Sequence, residues 1–161
     1  WYAGAYTEAS NPSFYRIDDW MGNCANFTSQ CIWYGFSQGS EAEITRSSRQ
    51  MTATWYAGDG GGSPAWENTE AFWTWATGGG DMTVQMLQGA TELQAGDLIQ
   101  LRTGGMPGGS DGDVAEGKYN HSLLVVDTET LMLAQNSPAC FAYYSDLLNV
   151  QTRLLRPISI G

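Results

Sequence analysis

Two short apolar runs late in the chain, Ser122-Leu123-Leu124-Val125-Val126 and Leu131-Met132-Leu133-Ala134, are separated only by Asp127-Thr128-Glu129-Thr130. Aliphatic runs flanking a polar, turn-forming stretch read as the two strands of one antiparallel hairpin. Register then fixes which side chains share a face, and a slip of one residue exchanges the faces. A turn centred between Thr128 and Glu129, with a loop of two or four residues, sets His121 directly opposite Asn136. Opposed residues have Cβ atoms about 4.5–5.5 Å apart, so the Asn136 side-chain oxygen would hold the imidazole N–H and fix its tautomer. A loop of odd length presents Gln135 or Ser137 instead, so turn length decides the partner.

His121 is the chain's single histidine, and a cysteine far upstream gives it a possible task. Asn23-Cys24-Ala25-Asn26-Phe27-Thr28-Ser29-Gln30-Cys31 reads as a helix start with Asn23 as N-cap, running to about Tyr34 and closed by Gly35. Cys24, Phe27, Thr28 and Cys31 fall along one face. A thiol attacks as thiolate; a helix N-terminus lowers its pKa and a nearby imidazole takes its proton. Cys24 and His121 are therefore candidate nucleophile and base.

The rest of the chain supplies a layout in which the two can meet. A first helix is predicted over Tyr2–Ala9, ended by Asn11-Pro12, and a loop over Pro12–Gly22. Met51–Tyr56 reads as extended, Asp59–Pro64 as loop, and Asn68–Thr77 as a helix ended by Gly78-Gly79-Gly80. A turn at Leu93–Asp97 leads into the strand Leu98–Arg102. The Gly-rich Gly104–Gly117 is a long loop of the kind that is often functional. After the hairpin come a short helix, Tyr143–Leu148, and a strand, Val150–Leu155. Helices first, then three or four strands, is an α+β order, with the cysteine helix packed on a small antiparallel sheet.

Composition bounds the function. A chain of 161 residues predicts one domain, burying roughly two-thirds of its unfolded surface. The net charge is −10 and Lys118 is the only lysine, which argues against nucleic-acid binding. No stretch approaches the ~20 apolar residues of a membrane span, and the beginning of the chain lacks a signal-peptide pattern. A mature or excised soluble domain is expected, monomeric, either on its own or as one part of a larger secreted chain. Twenty glycines and sparse charge (15%) fit a secreted bacterial domain.

Three cysteines leave Cys31 and Cys140 free to pair if Cys24 is a nucleophile, with buried free thiols as the alternative. Asp111, Asp113 and Glu116 are closely spaced carboxylates of the kind calcium accepts. They lack the full calcium-loop pattern, and a solvated acidic loop is the expectation. Zinc on the cysteines and His121 is not expected, because close ligand-pair spacings are missing. No cofactor is predicted. Trp55, Tyr56, Trp66, Trp73 and Trp75 are assigned to the core in preference to a sugar platform. Trp20 is the better cleft wall.

These segments together resemble the putative amidase domain family of bacterial cell-wall proteins, grouped with NlpC-type and CHAP-type hydrolases among papain-like cysteine peptidases. The resemblance rests on Asn11-Pro12 with Phe14-Tyr15, the run Cys24–Cys31, Gly96-Asp97-Leu98-Ile99-Gln100, His121-Ser122 and Ala134-Gln135-Asn136. It implies a papain-like (NlpC-type) fold with Cys24 as nucleophile, His121 as general base and Asn136 as orienting residue. Asn23 stands where the family often has an acidic residue, and Asn136 where it often has histidine. The oxyanion would be held by the Cys24 N–H and a second donor, with Asn23, Tyr15 and Gln30 as candidates. The implied function is hydrolysis of an amide bond in the peptide part of peptidoglycan, outside the cell. Alternatives are a peptidase or transferase acting on proteins, and a non-catalytic glycan- or peptide-binding module.

Overall fold

A computed structural model describes residues 1–12, 14, 23–38, 51–58, 61–102, 118–136 and 139–161. Helices α1 (Tyr2–Tyr6) and α2 (Cys24–Phe36) are followed by a two-residue ribbon, β1 (Ala57–Gly58) with β2 (Gly61–Gly62), and by α3 (Pro64–Glu67) and α4 (Thr69–Thr77). The strands β3 (Met82–Leu87), β4 (Leu98–Arg102), β5 (His121–Asp127), β6 (Met132–Gln135), β7 (Cys140–Tyr143) and β8 (Gln151–Ile160) form one antiparallel sheet in the order β3-β8-β4-β5-β6-β7. The fold is α+β, as the element order predicted. Among the described residues no helix is long and apolar enough to cross a membrane.

Both faces of the sheet are covered. The helices pack on one, where Phe27, Trp33, Trp55, Trp66 and Phe72 close over Leu98, Leu124, Ala134 and Leu155. On the other, Ile99, Leu101, Leu123, Val125, Leu133 and Leu154 form a second cluster under Leu93, Leu131, Tyr144 and Leu147. Strand β4 is consequently a continuous buried run, as expected of a strand with apolar layers on both sides. Trp55 and Trp66 are fully buried, Trp73 and Trp75 partly so.

The sheet is larger than the sequence patterns suggested. β3 is an edge strand without clean alternation, and it forms because β8 offers it a partner. β8 runs beyond Leu155 through Pro157, which sits where the β3–β8 register shifts, a place where proline is tolerated. α3 begins at Pro64, inside the stretch read as loop, with proline in the first turn and Glu67 Oε1 accepting from the Gly62 N–H at 2.7 Å. The predicted helix at Tyr143–Leu148 is a 3-10 turn over Tyr144–Leu147. α1 stops at Tyr6, short of Ala9, and α2 passes through Gly35 to Phe36.

The hairpin carries the most consequential correction. β5 and β6 pair Leu124 with Ala134 and Val125 with Leu133, then Asp127 with Met132 across a bulge. Asp127 Oδ1 accepts from both the N–H and the hydroxyl of Thr130, and Leu131 takes φ 50°. The turn residues Thr128–Leu131 are centred one residue later than the symmetric loop, and with the bulge the net displacement of the register is one. Extending the ladder sets Gln135, not Asn136, on the face that His121 shares with Leu123.

Candidate active site

Every residue of α2 from Cys24 to Trp33 is buried, so this helix is a central pillar and not a surface amphipath. Its polar side chains are satisfied inside the protein. Gln30 Nε2 donates to Asn26 Oδ1, Asn26 Nδ2 to Asn23 Oδ1, and Asn23 Nδ2 to Asn136 Oδ1, each at 2.9–3.1 Å. Asn136 Nδ2 donates to the Thr7 carbonyl at 3.0 Å, while Tyr2 donates to Gln30 Oε1 and the Trp66 indole N–H to Asn26 Oδ1. This amide ladder joins α1, α2, α3 and the end of β6.

The ladder reassigns three of the expected site residues. Asn23 is the N-cap by position, but its backbone (φ −105°, ψ 8°) is not extended and its side chain makes no capping bond. The oxygen that would cap the helix is held by Asn26. Gln30 lies six residues along the helix from Cys24, about 9 Å at 1.5 Å per residue, with its amide engaged by Asn26 and Tyr2. Asn136 holds Asn23 and Thr7 and stands on the sheet face opposite the one required to orient His121. Tyr15 and Trp20, like Asp111, Asp113 and Glu116 and the predicted loops over 12–22 and 104–117, lie outside the described residues.

Cys24 opens α2 at N1, where the backbone N–H has no acceptor within the helix. Its Sγ lies 4.0 Å from the Asn120 carbonyl oxygen, at the entry to β5. Three groups at that entry lower the titration of the thiol through hydrogen bonding: the imidazole of His121, the first residue of that strand, the Ser122 backbone N–H and the Thr69 hydroxyl. Burial pushes the Cys24 thiol up, but the imidazolium charge with these three hydrogen bonds outweighs it and holds the thiol below its ordinary value. For His121 the balance is the mirror image. Burial lowers its pKa, while the Cys24 thiolate and the Gln135 side chain raise it above the ordinary value. The two groups thus stabilise each other as thiolate and imidazolium.

His121 Nε2 donates to Gln135 Oε1 at 2.7 Å, which leaves Nδ1 for the sulfur. Gln135 Nε2 in turn donates to Cys140 Sγ at 2.9 Å. With its nitrogen end satisfied by sulfur, the amide keeps its oxygen on the imidazole. Gln135 and Thr69 are the two side chains at this site that the symmetric hairpin reading passed over. The signal for Gln135 was present as the odd-loop alternative; Thr69, at the start of α4, had none. Thr69 is itself held from behind. Its hydroxyl meets Ser122 Oγ at 3.0 Å, and its carbonyl accepts from Gln100 Nε2 at 3.0 Å. Arg153 Nε donates to Gln100 Oε1, and the same guanidinium pairs with Glu70 at 2.9 Å over the ring of Trp73.

All three cysteines are free thiols. Cys31 packs near Leu124 of β5 and Pro157 of β8, whereas Cys140 lies on β7, two strands beyond β5. Two strand spacings are about 9–10 Å, beyond the roughly 7 Å Cα limit for a bridge, so the expected alternative of a Cys31–Cys140 disulfide is not realised. Burial pushes the Cys31 thiol well above its ordinary value. Among the described residues no three His, Cys, Asp or Glu side chains are grouped to hold a metal ion.

A family model described as Putative amidase domain matches residues 1–147. The general chemistry of that description is hydrolysis of an amide bond. No curated protein and no solved structure matches the chain.

Proposed function

The chain belongs to the Putative amidase domain family, and on that footing we propose that it is a papain-like cysteine hydrolase in which Cys24 attacks, His121 transfers the proton and Gln135 orients the imidazole. The observation that carries this reading is the placement of Cys24 at the start of a buried helix, 4.0 Å from the Asn120 carbonyl that leads into His121, with the two groups favouring each other's charged forms and Gln135 holding the imidazole at 2.7 Å. The Cys24 thiolate adds to the amide carbonyl carbon, and the oxyanion faces the Cys24 N–H at the helix start. Imidazolium His121 gives its proton to the leaving nitrogen as the C–N bond breaks, leaving a thioester. Neutral His121 then takes a proton from water, hydroxide adds to the thioester carbonyl, and thiolate departs. Asn136 is here a structural residue of the amide ladder.

The substrate proposed is the peptide part of bacterial peptidoglycan, outside the cell. It is supported by the family resemblance of the segments around Cys24, Gly96 and His121 and by the paucity of cationic side chains, which disfavours nucleic-acid substrates. The test is incubation with purified peptidoglycan, counting newly exposed amino groups and identifying released fragments by mass spectrometry. Wild-type protein should release peptide fragments, and Cys24→Ser should reduce the rate at least about a thousandfold, as loss of a nucleophile does. Equal release by both proteins, or release of cysteine-independent glycan fragments alone, would sink the proposal.

A further inference from the structure

The surface opens into a groove of about 640 Å3, whose walls include Tyr56, Pro64, Glu70, Thr74, Trp75 and Lys118. Two chain connections tie this groove to the reacting sulfur. Glu70 directly follows Thr69, one of the groups that hold the Cys24 thiol below its ordinary value, and Lys118 stands just before Tyr119-Asn120, whose Asn120 carbonyl oxygen is 4.0 Å from Sγ. The two walls are joined where the Tyr119 N–H donates to Glu70 Oε1 at 2.5 Å. At 3.3–3.6 Å per extended residue the Lys118 Cα is within about 7 Å of the Asn120 Cα. Its ammonium therefore reaches a group one or two residues from a bond held at the sulfur.

Lys118 stands out in a chain that carries a net −10 and no other lysine. Among the described residues Arg153 is engaged by Glu70 and Arg156 by Asp97, whereas no carboxylate pairs with exposed Lys118. The charge of Glu70, the acid in the groove wall, is taken up by Arg153 and the Tyr119 N–H. Among the described residues the groove thus presents one ammonium without a carboxylate partner, beside the apolar surfaces of Tyr56, Pro64 and Trp75.

We infer that this groove binds the peptide on one side of the scissile amide and that Lys118 pairs with a carboxylate of that peptide. The preferred substrate is an acidic peptide whose carboxylate, from a side chain or a chain end, lies one or two residues from the bond cut. This rests on the hydrolase reading for the identity of the bond, but the carboxylate subsite stands independently of turnover.

The test uses the Cys24→Ser protein, which binds without cleaving, and three N-acetylated tetrapeptides titrated by calorimetry at low salt. They are Ala-Ala-Glu-Ala amide, Ala-Ala-Gln-Ala amide and Ala-Ala-Gln-Ala with a free C-terminus. At least one carboxylate peptide should bind about tenfold more tightly than the uncharged one, the scale of a charge-assisted hydrogen bond. Preference for the glutamate peptide identifies a side-chain carboxylate; preference for the free terminus identifies a chain end. Lys118→Met should abolish the discrimination and Lys118→Arg should restore it. Equal binding of all three peptides, binding of none, or a preference that survives Lys118→Met would overturn the inference. Absence of cleavage by wild-type protein alongside intact discrimination would count against the hydrolase reading alone.

Discussion

Gln135 and Asn136 are adjacent amides with opposite tasks, because successive strand residues face opposite sides of the sheet. Gln135 accepts from His121 Nε2, and Asn136 closes the ladder between Asn23 and Thr7. Replacing them should separate activity from stability. Gln135→Leu should lower kcat by about 10- to 100-fold, a part of the 10²–10⁴ that positioned proton transfer supplies, with little change in urea midpoint. Because Gln135 is one of the groups that raise the His121 pKa, its loss should also move the alkaline limb of the pH–rate profile downward. Asn136→Ala should instead take a hydrogen bond from a buried amide and from a buried carbonyl, costing about 1–3 kcal/mol and lowering Tm by several degrees. Iodoacetamide labelling read by peptide mass spectrometry probes the pair itself. Cys24 should label fast below the pH at which ordinary thiols do, and Cys31 slowest. In His121→Ala the burial penalty acts with its main counterweight gone, so the Cys24 labelling midpoint should move up; an unchanged midpoint would exclude the thiolate–imidazolium pair. The working form exists between the lowered titration of Cys24 and the raised titration of His121, so activity should fall on the acid side as the thiolate is protonated and on the alkaline side as the imidazolium deprotonates.

The helix α2 and the hairpin β5–β6 were readable from the sequence because their patterns are local. A cysteine run with a plausible cap predicts a helix, and two aliphatic runs around a polar turn predict a hairpin. What decided the site was not local. The bulge between Val125 and Asp127 and the positive φ of Leu131 move the register by one, and no periodicity announces a bulge. Edge strands β3 and β7 were invisible for a related reason: β3 does not alternate cleanly, β7 is only four residues long, and each is defined by the neighbour it pairs with. The Gly96-Asp97 turn was legible as a turn but not in its purpose. Gly96 adopts φ 97°, a conformation that favours glycine, and Asp97 accepts from the Gln94 N–H and pairs with Arg156 of β8 at 2.8 Å. It anchors the strand that carries Gln100 to Thr69. The polar residues of α2 belong in the same account, because their value appears only once the helix is buried on all sides. Asn26→Ala should take one hydrogen bond each from the Trp66 indole N–H, the Gln30 amide and the Asn23 oxygen. A loss of about 3 kcal/mol is expected, measured by urea unfolding; a change below about 0.5 kcal/mol would show that the ladder does not hold the helix.

The layers around the sheet make the last strand indispensable to the site. The family match ends at residue 147, yet β8 runs from Gln151 to Ile160 between β3 and β4, not at an edge. Leu154 and Leu155 point to opposite faces and are 7% and 0% exposed, one in each apolar cluster. Fully burying two such side chains contributes about 3–6 kcal/mol, against a total stability of about 5–15 kcal/mol. Removing β8 also unpairs one whole side of β4, leaves β3 without its strand partner, and takes away Arg153, which holds Gln100 and through it the Thr69 carbonyl. The consequence reaches Cys24 through the Thr69 hydroxyl. A chain ending at residue 147 should therefore lack a cooperative urea transition, and its Cys24 should label with iodoacetamide no faster than an unfolded thiol. If that shortened chain unfolds cooperatively and keeps fast Cys24 labelling, the helix layer and β4–β7 hold the nucleophile without the strand behind them. If instead it unfolds cooperatively but loses fast labelling, the Arg153–Gln100–Thr69 connection is what β8 supplies to the chemistry, and Arg153→Met in the full chain should reproduce the slower labelling with the fold intact.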